Sequence, residues 1–389
     1  MNVSGEVASG FEAVREAFES NFTQRGDVGA ACAVYLDGRK VVDLWGGVAD
    51  HKTGRSWEED TLTLVYSTTK GVAAICVHHL AQEGVLDLDA PVSFYWPEFA
   101  SAGKGSVTVR HLLAHRAGLP TVERRLTQEE AFAWDPAVEA LAAQAPLWAP
   151  GTRHGYHAVT FGWLVGEVVR RATGRSLGRY LAEEMAAPLG LDLWIGLPAG
   201  EEHRVSRLLP PGNVRVSREE LAAMPPAQLD RLRAMADPDS LMQRALNPTD
   251  PPFSFNRPEL HAAELPAANG IGTARSLARL YAATIGEVDG VRLLEDSTVA
   301  SATTEQSSGP DEVLVADTRF GSGFFLPSPF SPLMGPRSFG HSGAGGSLAF
   351  ADPDSGVAFA YVMNQMQQGL AADPRPAELV SALRATIDR

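Results

Sequence analysis

Strand signals crowd at the two ends of this 389-residue chain and helix signals fill its middle, a division that limits the fold more than any single motif. Near the N-terminus, Phe11, Val14, Phe18 and Phe22 recur at helical spacing within residues 9–24. Two apolar runs follow, Gly29–Leu36 and Lys40–Trp45, parted by Asp37-Gly38, a pair that favours a tight hairpin. Beyond residue 312 the runs Val313–Ala316, Gly321–Leu326, Gly346–Ala351 and Gly356–Val362 alternate with turns, and a last helix is expected over 376–387. The middle is helical with Pro/Gly punctuation: a helix over 67–84, another over Ala158–Ala172 closed by Thr173-Gly174, and a third over 270–285. Strands so far apart form one sheet only if the chain ends meet. The expected class is therefore α+β, an antiparallel sheet flanked by helices plus an all-helical domain. Residues 1–65 and 290–389 would form the sheet domain and 66–289 the helical one, with the active site in the cleft between them. Residues 200–262 depart from this pattern, with recurrent prolines and dense charge. They read as a surface excursion holding a short helix near 217–236, and as a partial lid over a site.

Composition narrows the function classes. A hydrophobic content of 44% with 21% charged residues supports a large buried core. The net charge of −14 comes with no basic stripe, which argues against a nucleic-acid partner. No run of 18 apolar residues predicts a membrane span, and residues 1–6 have neither a basic nor an apolar leader segment, so the expected compartment is the cytoplasm. Cys32 and Cys76 lie in apolar stretches and read as buried thiols rather than a disulfide.

Three segments carry chemistry. In Val65-Tyr66-Ser67-Thr68-Thr69-Lys70-Gly71, residues Ser67 and Lys70 lie one helical turn apart on the same face. The apolar stretch that follows would bury the helix, and a desolvated lysine sheds its proton more easily and can act as a base toward the serine hydroxyl. This spacing arises by chance about once in 400 positions, and a serine at a helix start is also an ordinary N-cap, so the context has to decide. The second segment is Pro150-Gly151-Thr152-Arg153-His154-Gly155-Tyr156-His157-Ala158, which puts Tyr156 on a loop before a helix. A lysine ammonium nearby would lower the tyrosine pKa and let it move the serine proton. His154 and His157 flank it and can line a pocket. The third is Gly340-His341-Ser342-Gly343-Ala344-Gly345-Gly346-Ser347, whose glycines suit an edge strand approached by a ligand, with a backbone N–H that can pair with that of Ser67 around an oxyanion. Other patterns fall away. His111 and His115 have zinc-helix spacing without the glutamate after the first histidine. Gly340–Ala344 ends in alanine and precedes a strand, unlike a nucleophile elbow. Acidic pairs such as Glu183-Glu184 and Glu219-Glu220 read as solvated faces.

In this order and spacing the three segments resemble the serine β-lactamase/penicillin-binding-protein superfamily, its class C-like branch, and within it the family VIII carboxylesterases. The resemblance runs over about residues 15–370. It includes Val107–Pro120, with His111-Leu112-Leu113-Ala114-His115-Arg116-Ala117-Gly118-Leu119-Pro120, and Pro188-Leu189-Gly190-Leu191. It implies Ser67 as the acylated nucleophile, Lys70 sharing its proton and tuning Tyr156, and Tyr156 as general base and then acid. It also implies an oxyanion hole from the N–H groups of Ser67 and Ala344. His341, Ser342 and Gly343 would stand where the lactamases carry Lys-Thr-Gly and, with His157, would meet the substrate. Two departures bear on substrate. Ala158 replaces the asparagine of Tyr-x-Asn, and His341, mostly neutral at pH 7, replaces a fixed cation. Both favour neutral acyl substrates. The expected activity is hydrolysis of small or bulky carboxylic esters through an acyl-enzyme, with no cofactor and no metal. The same machinery could also serve as a β-lactamase or D-amino peptidase, an amide hydrolase or an acyltransferase.

Overall fold

The computed structural model describes residues 3–212 and 223–387. Its central sheet takes strands from both chain ends: β1 (Val3–Val7), β2 (Gly29–Leu36), β3 (Arg39–Asp50), β4 (Phe339–Ser342), β5 (Leu348–Asp352) and β6 (Val357–Met363). Their order is β1-β3-β2-β6-β5-β4, all antiparallel, with the short Arg55–Ser56 strand paired to β3. The two ends join at the centre, where β2 and β6 pair from Val357↔Leu36 to Met363↔Ala30. β5 and β6 are buried at every position, which is why they read as continuous apolar runs instead of alternating ones. The fold class is α+β, as the division of signals implied.

Six helices position the site: α1 (Glu12–Gln24), α2 (Thr68–Gln82), α3 (Thr160–Thr173), α4 (Pro226–Ala236), α5 (Ala274–Ile285) and α6 (Pro374–Ile387). α1 and α6 pack together on one sheet face, where Val14, Phe18, Leu379 and Leu383 meet Val34, Phe350 and Phe359. α5 covers the other face against β2, β5 and β6, beside α2, which touches β4 and β5. The sequence grouped α5 with the helical middle. Its apolar stripe shows that one side is buried but not which layer buries it. α3 ends at Gly174, whose left-handed φ of 71° supplies the expected C-cap.

The strand readings shift near the C-terminus. Val313–Ala316 is largely a turn, held by the Asp311 carboxylate, which accepts the N–H groups of Val313 and Leu314. The strands flank it, Ser307–Asp311 and Ala316–Phe320, and their mixed polar sequences hid them. Gly321–Leu326 is irregular apart from the bridges of Phe325 to Phe320 and to Gly340 of β4. β1 was missed because its residues are alternately half-buried and exposed at the sheet edge. In the 200–262 excursion the helix begins at Pro226, while 213–222, including Glu219-Glu220, lies outside the described residues. Cys32 and Cys76 are buried and unpaired. Among the described residues no helix is long and apolar enough to cross a membrane, and no cluster of three or more His, Cys, Asp or Glu is arranged to hold a metal.

Candidate active site

Ser67 stands at the N-cap position of α2, yet its side chain makes no capping bond. Its Oγ instead lies 3.1 Å from Lys70 Nζ. The residue before it, Tyr66, has φ 48°, a left-handed conformation costly for a bulky side chain and typical of strain kept at a working site. Lys70 is fully buried, and its amine also donates to the carbonyls of Ala158 (2.7 Å) and Ala267 (3.0 Å). Neither carbonyl can give a proton. Of the three partners only Ser67 can, so the third direction of the amine, N–H or lone pair, faces Oγ. Burial pushes the ammonium well below the ordinary lysine range, toward the neutral amine.

Tyr156 is buried as well, and its backbone N–H is fixed by the Asp311 carboxylate at 3.0 Å. Its acidity runs against the sequence expectation. Burial raises the phenol above its usual range, and a hydrogen bond with Ser67 opposes the rise only in part. Lys70 does not lower it, because Nζ sits over the ring face, 4.6 Å from the centroid, and is itself driven toward neutrality. The resting tyrosine is therefore a neutral phenol.

Glycines bring the turn after β4 against the start of α2. A Cβ on Gly343 would lie 2.2 Å from the Val65 carbonyl oxygen, so only glycine allows this approach. Ser347 Oγ donates to that same carbonyl (2.8 Å) and lies 3.1 Å from Thr68 Oγ1. Ala344, at the tip, lines the same small cavity as Ser67 and Tyr156. Behind the turn is Arg375, fully buried. It donates to the Gly345 carbonyl (2.5 Å) and to the carboxylates of Asp27 (2.9 Å) and Asp373 (2.7 Å). Tyr361 Oη donates to Asp27 at 2.7 Å. Arg375 and Asp311 were not found from the sequence, since the partners that tie them to the site, Gly345 and Asp27 for the first and the Tyr156 N–H for the second, are remote in the chain.

Ser67 and Tyr156 face a small cavity, walled otherwise by Leu314, Phe325, Phe330 and Leu370. None of its lining side chains is charged. The remaining predicted residues are placed differently. His157 is fully buried, with Nε2 accepting the Leu119 N–H (3.0 Å) and Nδ1 on the Gly155 carbonyl (2.6 Å), so it presents nothing to a substrate. Burial holds it down to about 4, hence neutral. The His341 ring is buried against Phe325 and Tyr156, and its pKa falls well below the usual value through burial and then Lys70, so it offers neither an open face nor a cation. Ser342 Oγ turns to the Leu370 carbonyl at 3.3 Å. His154 pairs with Thr318 at 2.9 Å, and His111 closes a capping box with Thr108. Ala158 contributes its carbonyl to Lys70 in place of a polar side chain.

The beta-lactamase family model matches residues 16–383. The esterase/beta-lactamase LipL of Mycobacterium tuberculosis is 38% identical over 370 residues, 94% of this chain and 83% of that protein. A crystal structure of a family VIII carboxylesterase superposes with TM-score 0.88 at 40% identity, over 99% of this chain and 100% of that one. EstA from Arthrobacter nitroguajacolicus Rue61a gives 0.87 at 34% identity, over 100% and 99%. By family and by structure, this chain belongs to the beta-lactamase family.

Proposed function

We propose that the protein hydrolyses small neutral carboxylic esters through an acyl-enzyme on Ser67. The observation that carries this reading is the Lys70 amine, held by two carbonyls so that its third direction meets Ser67 Oγ. The ester carbonyl oxygen is received by the N–H groups of Ser67 and Ala344. As Oγ bonds to the carbonyl carbon, its proton passes to the neutral amine of Lys70. The Lys70 ammonium returns that proton to the departing alkoxide, and the neutral phenol of Tyr156 donates a hydrogen bond to the alkoxide as it leaves. The acyl group is then an ester of Ser67. Water attacks it by the same route reversed, returning the proton to Oγ. The uncharged cavity wall, with His341 neutral, supports a neutral substrate. The relatives named as esterases support the reaction class.

The cavity takes Ser67 and Tyr156 from residues 66–289 and its other walls from 290–389, which supports a site in the cleft between two such domains. Arg231 of α4 lies 5.1 Å over the ring of Phe330, and Ala245 packs into the same cluster, which supports a partial lid. Two thiols kept unpaired favour the cytoplasm. β-Lactam cleavage is the second reading, favoured by the relative named both esterase and beta-lactamase.

The test is hydrolysis of p-nitrophenyl acetate and butyrate beside nitrocefin, with wild type and Ser67→Ala. Ester turnover lost in the variant, with little nitrocefin cleavage, is the expected result. Turnover that survives Ser67→Ala overturns the mechanism, and nitrocefin rates equal to the ester rates put the second reading first.

A further inference from the structure

His115 is buried against Tyr156, with ring centroids 5.0 Å apart. Its backbone and its side chain both serve the segment that carries the tyrosine. The His115 carbonyl accepts the Gly155 N–H (3.1 Å), and His115 Nδ1 accepts the His157 N–H (3.1 Å). The N–H between them, that of Tyr156, goes to the Asp311 carboxylate (3.0 Å). Three successive N–H groups are thus fixed, two of them by one residue. We propose that His115 is a positioning residue for the reaction, which holds Tyr156 so that its hydroxyl meets the departing alkoxide. This rests on the reading of Tyr156 as the hydrogen-bond donor to that alkoxide.

The local backbone gives a second reason to assign the imidazole a task. His115 follows the short helix Val109–Leu113 and its C-cap, Ala114. The His115 N–H goes to the Leu112 carbonyl (3.2 Å) and the Arg116 N–H to the His111 carbonyl (2.8 Å), the pair of bonds that ends a helix on a left-handed residue. Glycine is usual at that place and asparagine comes next. Here a histidine occupies it, at φ 59°. Glycine would end the helix with less strain but would leave the His157 N–H without its acceptor. Because Nδ1 accepts, the proton of the neutral ring sits on Nε2. Burial, then His157 and Lys70, push His115 well below the usual histidine range, which keeps the Nδ1 lone pair available. Phe161 of α3 (5.3 Å) and Phe320 (4.6 Å) pack on the ring and hold its orientation.

The test uses p-nitrophenyl, phenyl and ethyl acetate, which share an acyl group and leave as progressively stronger bases. A stronger base needs more help from Tyr156, so a displaced tyrosine costs ethyl acetate most. His115→Gly suits the left-handed backbone and removes the acceptor. His115→Asn suits the same backbone and puts Oδ1 near the place of Nδ1. A misplacement of about 1 Å costs up to about 100-fold, so His115→Gly should lower kcat/KM about 10–100-fold for ethyl acetate and less than about threefold for p-nitrophenyl acetate. His115→Asn should restore the wild-type ratio between these esters. His157→Ala removes a buried ring from the same segment but keeps its N–H on His115, so it should leave that ratio unchanged. Adding His115→Gly to Tyr156→Phe should cost less than about threefold more, since the first acts through the second. The proposal is overturned if His115→Gly slows all three esters equally or none, if His115→Asn is as impaired as His115→Gly, or if the losses multiply in the double variant. If His115→Gly does not fold, His115→Asn decides alone: a folded variant with the ester ratio of Tyr156→Phe overturns the proposal, and one with the wild-type ratio supports it. A Tyr156→Phe variant that slows all three esters equally marks failure of the mechanism read at Ser67, and the proposal falls with it.

Discussion

Replacing Arg375 with methionine should remove the support of the oxyanion turn and make the damage depend on pH. The guanidinium is fully buried and serves Gly345, Gln365, Asp27 and Asp373 at once. Methionine fills much of the volume but strands two buried carboxylates. Breaking a buried pair by removing one partner costs about 3–5 kcal/mol, which for a chain of this length lowers Tm by roughly 4–6 °C. Asp27 sets the pH dependence. Burial raises it to about 6 from an ordinary 3.8, and Arg375 is the main influence holding it down. A carboxyl raised by folding binds its proton more tightly in the folded chain. Its contribution is therefore present below 3.8 and is lost as pH rises through 6. Without Arg375 the folded value moves higher still, and the loss extends further upward. The variant should be about 3–5 kcal/mol less stable at pH 8 and closer to wild type at pH 5, where Asp27 carries its proton in both. Loss of an oxyanion donor outright costs about 10²–10³ in kcat. A loosened turn should cost less, so a fall of about 10–100-fold is expected with KM little changed. Denaturant titrations at pH 5 and pH 8 with steady-state kinetics decide it. Equal stability losses at both pH values, or an unchanged kcat, refute the reasoning.

Lys70→Ala and Tyr156→Phe should each lose several orders of magnitude in kcat, about as much as the pair together, because residues that act as a unit are not additive; single-turnover acylation rates check this. In wild type, kcat/KM should fall on the acid side as the Lys70 amine takes up a proton, with that limb well below the ordinary lysine range because burial favours the neutral form. A pH–rate profile with its limb at the ordinary lysine value of about 10.4 would reject a neutral amine. His157→Ala should leave the Leu119 N–H and the Gly155 carbonyl unpaired and cost about 2–4 kcal/mol, while relative rates among esters stay as they were. A changed ester preference at unchanged stability would restore His157 to the substrate site.

What the sequence made legible was local. Ser67 and Lys70 are one helical turn apart, and the glycines of 343–346 announce a close approach. Both statements need only a few neighbouring residues. Tyr156 does line the cavity at Ser67, but its acidity was misjudged, because that depends on whether the amine meets the hydroxyl or the ring face. His157 was placed at the substrate by its position beside Tyr156, whereas its ring turns inward to backbone groups. Arg375 and Asp27 could not be paired from the sequence, since their meeting requires the N-terminal and C-terminal segments to pack on one sheet face. β1 was hidden for a related reason: an edge strand needs no continuous apolar run.

The pairing of β2 with β6 also bears on how the chain is made. At about 5–20 residues per second, synthesis takes roughly 20–80 s, and β2 emerges near the start while its partner comes near the end. Throughout that interval the nascent chain carries an open strand edge that can pair with other chains. Ser67, Lys70 and Tyr156 are all translated early, yet the turn opposite them and the arginine beneath it come last. A message cut short before codon 344 would yield a polypeptide with Ser67, Lys70 and Tyr156 but without the second N–H proposed for the oxyanion, so activity should appear only in finished chains.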